Sequence, residues 1–294
     1  MKELKWYKVL LAGFGIGIAI QMRLNTIIVL IALVILLIFK LRTHTKKSLV
    51  LLVSIVLGAL CISSAVDLTF RPYEYTEEYG IPAITYVAMG MNDDPHLGMG
   101  WFNGINITIY SDEANGDIAL AKELSVTYMR ERWESMSEEK MILDFYSRKI
   151  LSQWNAPLFS SLSLNANHIY DAEGWLVRAT YSEEGSSIVE SFANIHQIIV
   201  YLCFVFANLA IVFSGNKKSK HMEMSVVALV IFGGFLFSIL WEAKARYIYP
   251  YYIFMQIYIP IGAMVFYELL IKKIVTFNDY IKRVRGVKTQ HIEM

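Results

Sequence analysis

The stretch SLVLLVSIVLGALCISSAVD, Ser48–Asp67, runs nineteen residues without a charge and then meets an aspartate. As a helix rising 1.5 Å per residue it covers nearly the ~30 Å hydrocarbon thickness of a bilayer, and strands are rarely so long or so uniformly apolar. Ser48–Val66 therefore reads as a transmembrane helix that delivers the chain to water at Asp67. Before it, Lys40, Arg42, Lys46 and Lys47 form a basic turn, preceded by apolar runs from Asn25 to Phe39 and from Lys8 to Met22. The first run is short, so its ends rely on Lys8 and Arg23 reaching toward the interface. Within it, Gly13 and Gly17 form a small-xxx-small pair suited to close helix packing. A basic start followed by an apolar run is also the layout of a signal peptide, but no small-residue cleavage site precedes Gln21–Asn25, and the run reads as a retained anchor.

Beyond Asp67 the character of the chain reverses. Residues 67–195 carry 20 Asp and Glu against 8 Lys and Arg, leaving 19 basic and 6 acidic residues for the rest, so the net charge of +1 conceals two opposed parts. Three apolar runs follow: Gln197–Phe213, closed by Lys217, Lys218 and Lys220; Met224–Trp241; and Pro250–Ile271, closed by Lys272 and Lys273. Loops rich in Lys and Arg near membrane spans stay in the cytoplasm, and every basic loop falls on one side if the N-terminus is inside. The expectation is an all-α membrane protein of six transmembrane helices. Residues 1–66 and 196–274 supply three each, 67–195 form a mainly helical extracytoplasmic domain, and both termini are cytoplasmic. The basic tail, 275–294, lies on the anionic inner leaflet. A hydrophobic fraction of 55% and a mean hydropathy of +0.43 agree with this class. Cys61 and Cys203 both sit in apolar runs, so no disulfide framework holds the outer domain.

Within the polar segment, Pro82–Met91 suits a short helix, and Gly90–Gly104, GMNDDPHLGMGWFNG, reads as an irregular loop. Ile118, Ala121, Leu124, Tyr128 and Arg132 fall at helical spacing over Asp117–Trp133. Ser137, with Glu138 and Glu139, suits the cap of a second helix whose apolar face is Ile142, Phe145, Tyr146, Ile150 and Trp154. Leu158–Gly185 shows no period and reads as loop over the membrane face. Ser187 and Glu190 have capping-box spacing for a helix entering the fourth span.

Several chemistries find no support. There is no P-loop, no nucleotide-binding glycine fingerprint and no Gly-x-Ser-x-Gly elbow, and His44, His168, His196, His221 and His291 show no paired ligand spacing. The acidic outer surface argues against nucleic acid. Asn106-Ile107-Thr108 fits an N-glycosylation acceptor. No span shows a Pro-Gly break or a buried carboxylate suited to an ion path; Glu268 pairs by spacing with Lys272.

The stretch WEAKARYIYPYY, Trp241–Tyr252, is the most informative for function. It places Lys244 and Arg246 beside Glu242 on the side where membrane proteins avoid cations, which an outer anion would explain. Guanidinium binds phosphate oxygens through paired hydrogen bonds and lysine adds a point charge. The alternative is an ordinary charged helix end, with Tyr247, Tyr249, Tyr251 and Tyr252 as an interfacial aromatic belt.

The pattern Glu-x-x-x-Arg-Tyr-x-x-Pro of Glu242, Arg246, Tyr247 and Pro250 resembles a segment before the final span of bacterial GT-C membrane glycosyltransferases of the protein mannosyltransferase and aminoarabinose transferase kind. Met89-Gly90-Met91 with Gly98-Met99-Gly100-Trp101-Phe102-Asn103 is similar to a juxtamembrane loop in related proteins of Gram-positive bacteria, as is the Arg-Lys-containing helix ending Gln153-Trp154-Asn155. The resemblance spans most of residues 8–275. It implies a polyprenyl-phosphate-linked sugar donor used at the outer membrane face, with Glu242, Lys244, Arg246 and Tyr247 at the lipid phosphate. The family's acidic residue in a first outer loop has no counterpart, since that loop here is only Gln21–Asn25 and lacks a carboxylate. Three readings stay open: a C-terminal portion of such an enzyme, a chain working with a separate catalytic subunit, or a non-catalytic membrane scaffold or partner-binding protein.

Inverting transfer needs a carboxylate base for the acceptor hydroxyl, and Asp67, Asp93 and Asp94 are the candidates near the outer mouth. Asp67 equally marks a membrane boundary, and Asp93-Asp94-Pro95 is a good turn sequence. Carboxylates and imidazole can share a divalent cation, but Asp93, Asp94 and His96 in one turn are not sufficient to assign a metal, and no cofactor is assigned.

Overall fold

In the computed structural model the residues described are 5–22, 24–70, 80–94, 98–166, 174–213 and 218–271. Among them the chain is helical, with a single isolated bridge and no strand. The helices are α1 (Trp6–Met22), α2 (Ile27–Phe70), α3 (Ala83–Met89), α4 (Ile105–Ile107, continued by a π-helical turn Thr108–Glu113), α5 (Ile118–Glu138), α6 (Ile142–Trp154), α7 (Ser161–Ala166), α8 (Trp175–Tyr181), α9 (Glu183–Phe213), α10 (Lys218–Leu240) and α11 (Tyr249–Gln256). A further helix, α12, covers Ile259–Ile271.

Leu49–Thr69 within α2 and the whole of α9 are long and apolar enough to cross a membrane, and α11 with α12, bent by 54°, makes a third candidate. The remaining apolar segments, Trp6–Met22, Ile27–Leu36 and Met224–Leu240, are shorter. Among the described residues there are thus two to three candidate spans, consistent with a helical membrane protein. The bend between α11 and α12 corrects the expectation of unbroken spans. It precedes Pro260, whose missing N–H cannot bond the carbonyl one turn back.

Contacts divide the chain into two units, 1–159 with 222–248 and 160–221 with 249–294. In the first, α1 packs on α2 in parallel register: a Cβ on Gly13 would overlap Ser54 Oγ, and one on Gly17 would overlap the Ile55 carbonyl. Only four residues separate Met22 from Ile27, and α1 is about 25 Å long. An unbent α2 would carry Leu51 about 36 Å from Ile27, out of reach of Gly13, so the helical trace doubles back before Leu49. The side chains of Lys40 and Arg42, in the expected basic turn, lie outside the described residues. Small residues are what permit this approach, since helices in lipid gain by van der Waals packing. Gly17→Leu is expected to lower stability by about 1–3 kcal/mol, read as a fall in thermal midpoint in detergent, while Gly15→Leu, facing open space, leaves it unchanged.

The polar part of this unit has two small cores. Ala88, Ile109, Ala114 and Ala121 form one, and Met91, Met136 and Phe145 the other. Asp117 caps α5, its carboxylate accepting from the N–H groups of Ala119 (2.7 Å) and Leu120 (3.1 Å). Asp117→Ala should cost about 1 kcal/mol, read as a lower midpoint for the loss of α5 helicity. Ser137 does not cap α6. It lies in the last turn of α5, which ends where Lys140 turns left-handed (φ 57°) and Met141 N–H reaches back to Met136 O (2.8 Å). This six-to-one closure satisfies the final carbonyls, so Glu138 and Glu139 end one helix and do not begin the next. Asn106 is buried, which removes it as an accessible glycosylation acceptor.

In the second unit, α7 and α8 replace part of the loop expected over Leu158–Gly185, and α9 begins earlier than Ser187. Ser182 caps it, with its Oγ accepting from Gly185 N–H (3.1 Å) and Glu183 and Glu184 in the first turn. As expected, the helix runs on without a break through Gln197–Phe213. Tyr252 and His196 share a hydrogen bond of 2.7 Å, and Tyr251 and Tyr252 are buried. The aromatic belt therefore does not include these two rings, although Tyr249 is exposed.

Candidate functional site

The segment after α10 is irregular because it is bound on several sides within the first unit. Trp241 is stacked between Tyr86 (5.6 Å between centroids) and Phe237 (5.2 Å). Ala243 donates its N–H to Gly100 O (2.6 Å) and pairs with Trp101 in a parallel bridge. The loop after α3 is shaped to meet it. Asn92, buried, gives its side-chain amide to the carbonyls of Met89 (2.6 Å) and Trp101 (2.5 Å), and its own carbonyl accepts from Gly100 N–H (2.7 Å). Gly100 has φ +72°, and a Cβ there would stand 2.6 Å from Gly90 O and 2.8 Å from Lys149 Cε, so both conformation and space require glycine.

The third partner is α6. Its buried face is Phe145, Lys149 and Gln153, spaced four apart. Lys149 Nζ donates to Gly90 O (2.6 Å) and Ile239 O (2.8 Å), Gln153 Nε2 to Ser238 O (3.1 Å), and Trp154 Nε1 to Ser238 Oγ (2.9 Å). Lys149 and Gln153 thereby occupy the Ile239 and Ser238 carbonyls in the last turn of α10, where carbonyls lack a helical partner. Trp101 Nε1 bonds Ser152 Oγ (2.9 Å) on the same helix. Burial lowers the Lys149 amine to about pH 7. Met89–Asn103, the end of α6 and the segment after α10 thus meet in one hydrogen-bonded cluster.

Glu242 lies in that cluster, 2% exposed. Its Oε1 accepts from Tyr247 Oη (2.5 Å) and faces Lys244 Nζ (3.3 Å), while Oε2 is buried without a hydrogen-bond partner among the described residues. Burial, then the Glu242 bond, push the Tyr247 phenol up to about 12, so Tyr247 remains a donor at physiological pH. Lys244 Nζ also stands 4.6 Å above the Phe102 ring. Arg246 is exposed, with its guanidinium 5.8 Å from the Tyr247 ring. Glu242, Lys244, Arg246 and Tyr247 therefore stand together around one buried carboxylate.

The candidate bases are arranged differently. Asp93 is ion-paired with Arg132 (2.8 Å) and is 56% exposed; Asp94 N–H bonds Asn92 Oδ1 (3.1 Å) as part of the loop's internal fold. Asp67 is exposed near the end of α2, and His96 lies outside the described residues. Sequence reasoning did not separate Lys149 from its neighbour Arg148, which is exposed and paired with Asp144 (2.9 Å). The available signal was register: Lys149 and Gln153 continue the line of Phe145, on the apolar face. No family model, no curated protein and no solved structure matches the chain.

Proposed function

We propose that the chain is the lipid-donor half of a GT-C-like glycosyltransferase, taking a polyprenyl-phosphate-linked sugar at the outer membrane face. In this reading the apolar segments form six spans with both termini cytoplasmic and residues 67–195 outside. Lys244 and Arg246 hold the lipid phosphate, while Glu242 and Tyr247 order them. The observation that carries the proposal is the meeting of Met89–Asn103, the end of α6 and Trp241–Tyr247 in one cluster, where Lys244 and Arg246 stand beside the buried carboxylate of Glu242. Cations stabilise both the bound phosphate and the charge that grows on it as the sugar departs. The proton acceptor for the sugar's new partner comes from Asp67, Asp94 or a separate catalytic subunit, Asp93 being engaged by Arg132. That engagement favours a second reading, a non-catalytic membrane scaffold or partner-binding protein.

The test is binding of radiolabelled polyprenyl phosphate to the purified protein in nanodiscs. Saturable binding that Arg246→Ala weakens supports the donor site; absence of binding to wild type leaves the scaffold reading.

A further inference from the structure

One exposed face of α9 is apolar from its second turn onward. Ile188, Phe192, Ile195, Ile199 and Leu202 follow one another at the spacing of a single helix face, and all five are exposed. The line starts one turn after Glu184, and Glu190, two residues from both Ile188 and Phe192, falls on the opposite face. The buried residues of the helix, Gly185, Gln197, Val200, Cys203 and Ala207, form a different face, so nothing among the described residues covers the stripe. Nearer Phe213 the same helix is the candidate membrane span, whose exposed apolar side chains meet lipid. The stripe at Ile188 and Phe192 is therefore continuous with a lipid-facing surface.

The helix is longer than the apolar core of a bilayer. Lys217, Lys218 and Lys220 follow Phe213, and such residues hold a helix end at the membrane surface. Ile188 stands about 37 Å from Phe213 along the axis, against ~30 Å of hydrocarbon. An upright α9 would leave the hydrocarbon near Ala193 and lift Ile188 and Phe192, the latter 74% exposed, toward water. α8 enlarges the apolar surface at this end with Trp175, 77% exposed, and Leu176. Its corner with α9 is tight, because Gly185 is buried and a Cβ on it would overlap the Ala179 carbonyl. From Gly174 to Ile195 the charged residues are Arg178, Glu183, Glu184 and Glu190. That net acidic set gives no attraction to anionic headgroups, so apolar area is what remains to drive contact with a membrane. An exposed tryptophan beside exposed aliphatic and phenyl side chains suits the boundary between acyl chains and headgroups. We propose that α8 and the first turns of α9 form an interfacial anchor: α9 leans so that Trp175, Leu176, Ile188 and Phe192 lie in the leaflet, with Glu190 toward water. The anchor stands whether or not the lipid-phosphate reading does, since none of its residues belongs to the mouth.

Spin labels report the surroundings of each position. Trp175→Cys, Phe192→Cys and Glu190→Cys are made in the full chain with Cys61 and Cys203 replaced by serine, labelled with a nitroxide and placed in phosphatidylcholine nanodiscs. Collisions with oxygen, which concentrates among acyl chains, are compared with collisions with a neutral nickel chelate, which stays in water. The substituted side chains are exposed, so thermal midpoints should change little, and Ile188→Cys replaces Phe192→Cys if that variant is unstable. Positions 175 and 192 are expected to show an oxygen-to-nickel ratio severalfold above that at 190, unchanged when phosphatidylglycerol is added. A nickel preference at 175 or 192 would overturn the proposal, since those side chains would then stand in water. Low collision rates with both reagents would overturn it as well, because protein would then cover the stripe; spin–spin broadening that disappears on dilution with unlabelled chain would identify that cover as a second copy. An oxygen preference at 190 equal to that at 192 would contradict the lean of α9, and one that appears only with phosphatidylglycerol would replace apolar contact with headgroup recognition.

Discussion

Replacing Lys149 by methionine is expected to lower the stability of the solubilised protein by about 2–6 kcal/mol, because two buried carbonyls, Gly90 O and Ile239 O, lose their donor at about 1–3 kcal/mol each. Methionine keeps the length and fills the channel beside Gly100, so a cavity contributes little. The pH dependence separates this from ordinary core damage. The folded amine is lowered from 10.5 to about 7. Between those values the unfolded chain binds a proton that the folded chain does not, and stability from this group rises as pH rises through that window. Above about pH 7 the amine is neutral, yet it retains two N–H donors for its two carbonyls. Wild type should therefore gain stability between pH 7 and 10, Lys149→Met should lack that contribution, and the difference between them should widen with pH. A difference that stays constant across the window would show that Lys149 remains charged when buried.

The second large effect concerns ligand. Arg246→Ala should weaken polyprenyl phosphate binding about 10- to 100-fold, the loss of a charged hydrogen bond of about 1.5–3 kcal/mol, and should leave the thermal midpoint nearly unchanged because the side chain is exposed. Lys244→Ala should weaken binding comparably and lower stability as well. It removes the cation beside the buried Glu242, and a buried charge deprived of its partner is costly. Lys244 is itself 22% exposed, so solvent recovers part of that loss. Arg246→Ala is thus the cleaner probe of the site. Arg148→Ala serves as control, since that arginine is paired with Asp144 on the exposed side of α6.

What could be read from the sequence was whatever depended on composition and period. The apolar runs, the helix following Asp117 and the passage of one helix into Gln197–Phe213 all follow from hydrophobic spacing and capping chemistry, and each is present in the fold. Ser137 was misplaced because capping residues are common inside helices too, and only the left-handed turn at Lys140 decides which helix a polar run belongs to. Leu158–Gly185 lacks a period because α7 and α8 are each under two turns long, too short for one to register. The residues of the mouth were legible as an unusual charge pattern, whereas their shared hydrogen bonds were not. Asn92, Gly100 and Lys149 act through backbone carbonyls far away in sequence, and no local pattern encodes those partners.

The central claim is that the cationic mouth faces the outside of the cell, where a lipid phosphate can meet it. Labelling tests this most directly. Arg246→Cys is placed in a chain with Cys61 and Cys203 replaced by serine, and intact cells are treated with a membrane-impermeant maleimide. The account predicts modification at position 246 without permeabilisation, at a rate similar to that of a cysteine at Arg148. Modification only after the membrane is opened would place the mouth in the cytoplasm and contradict the account.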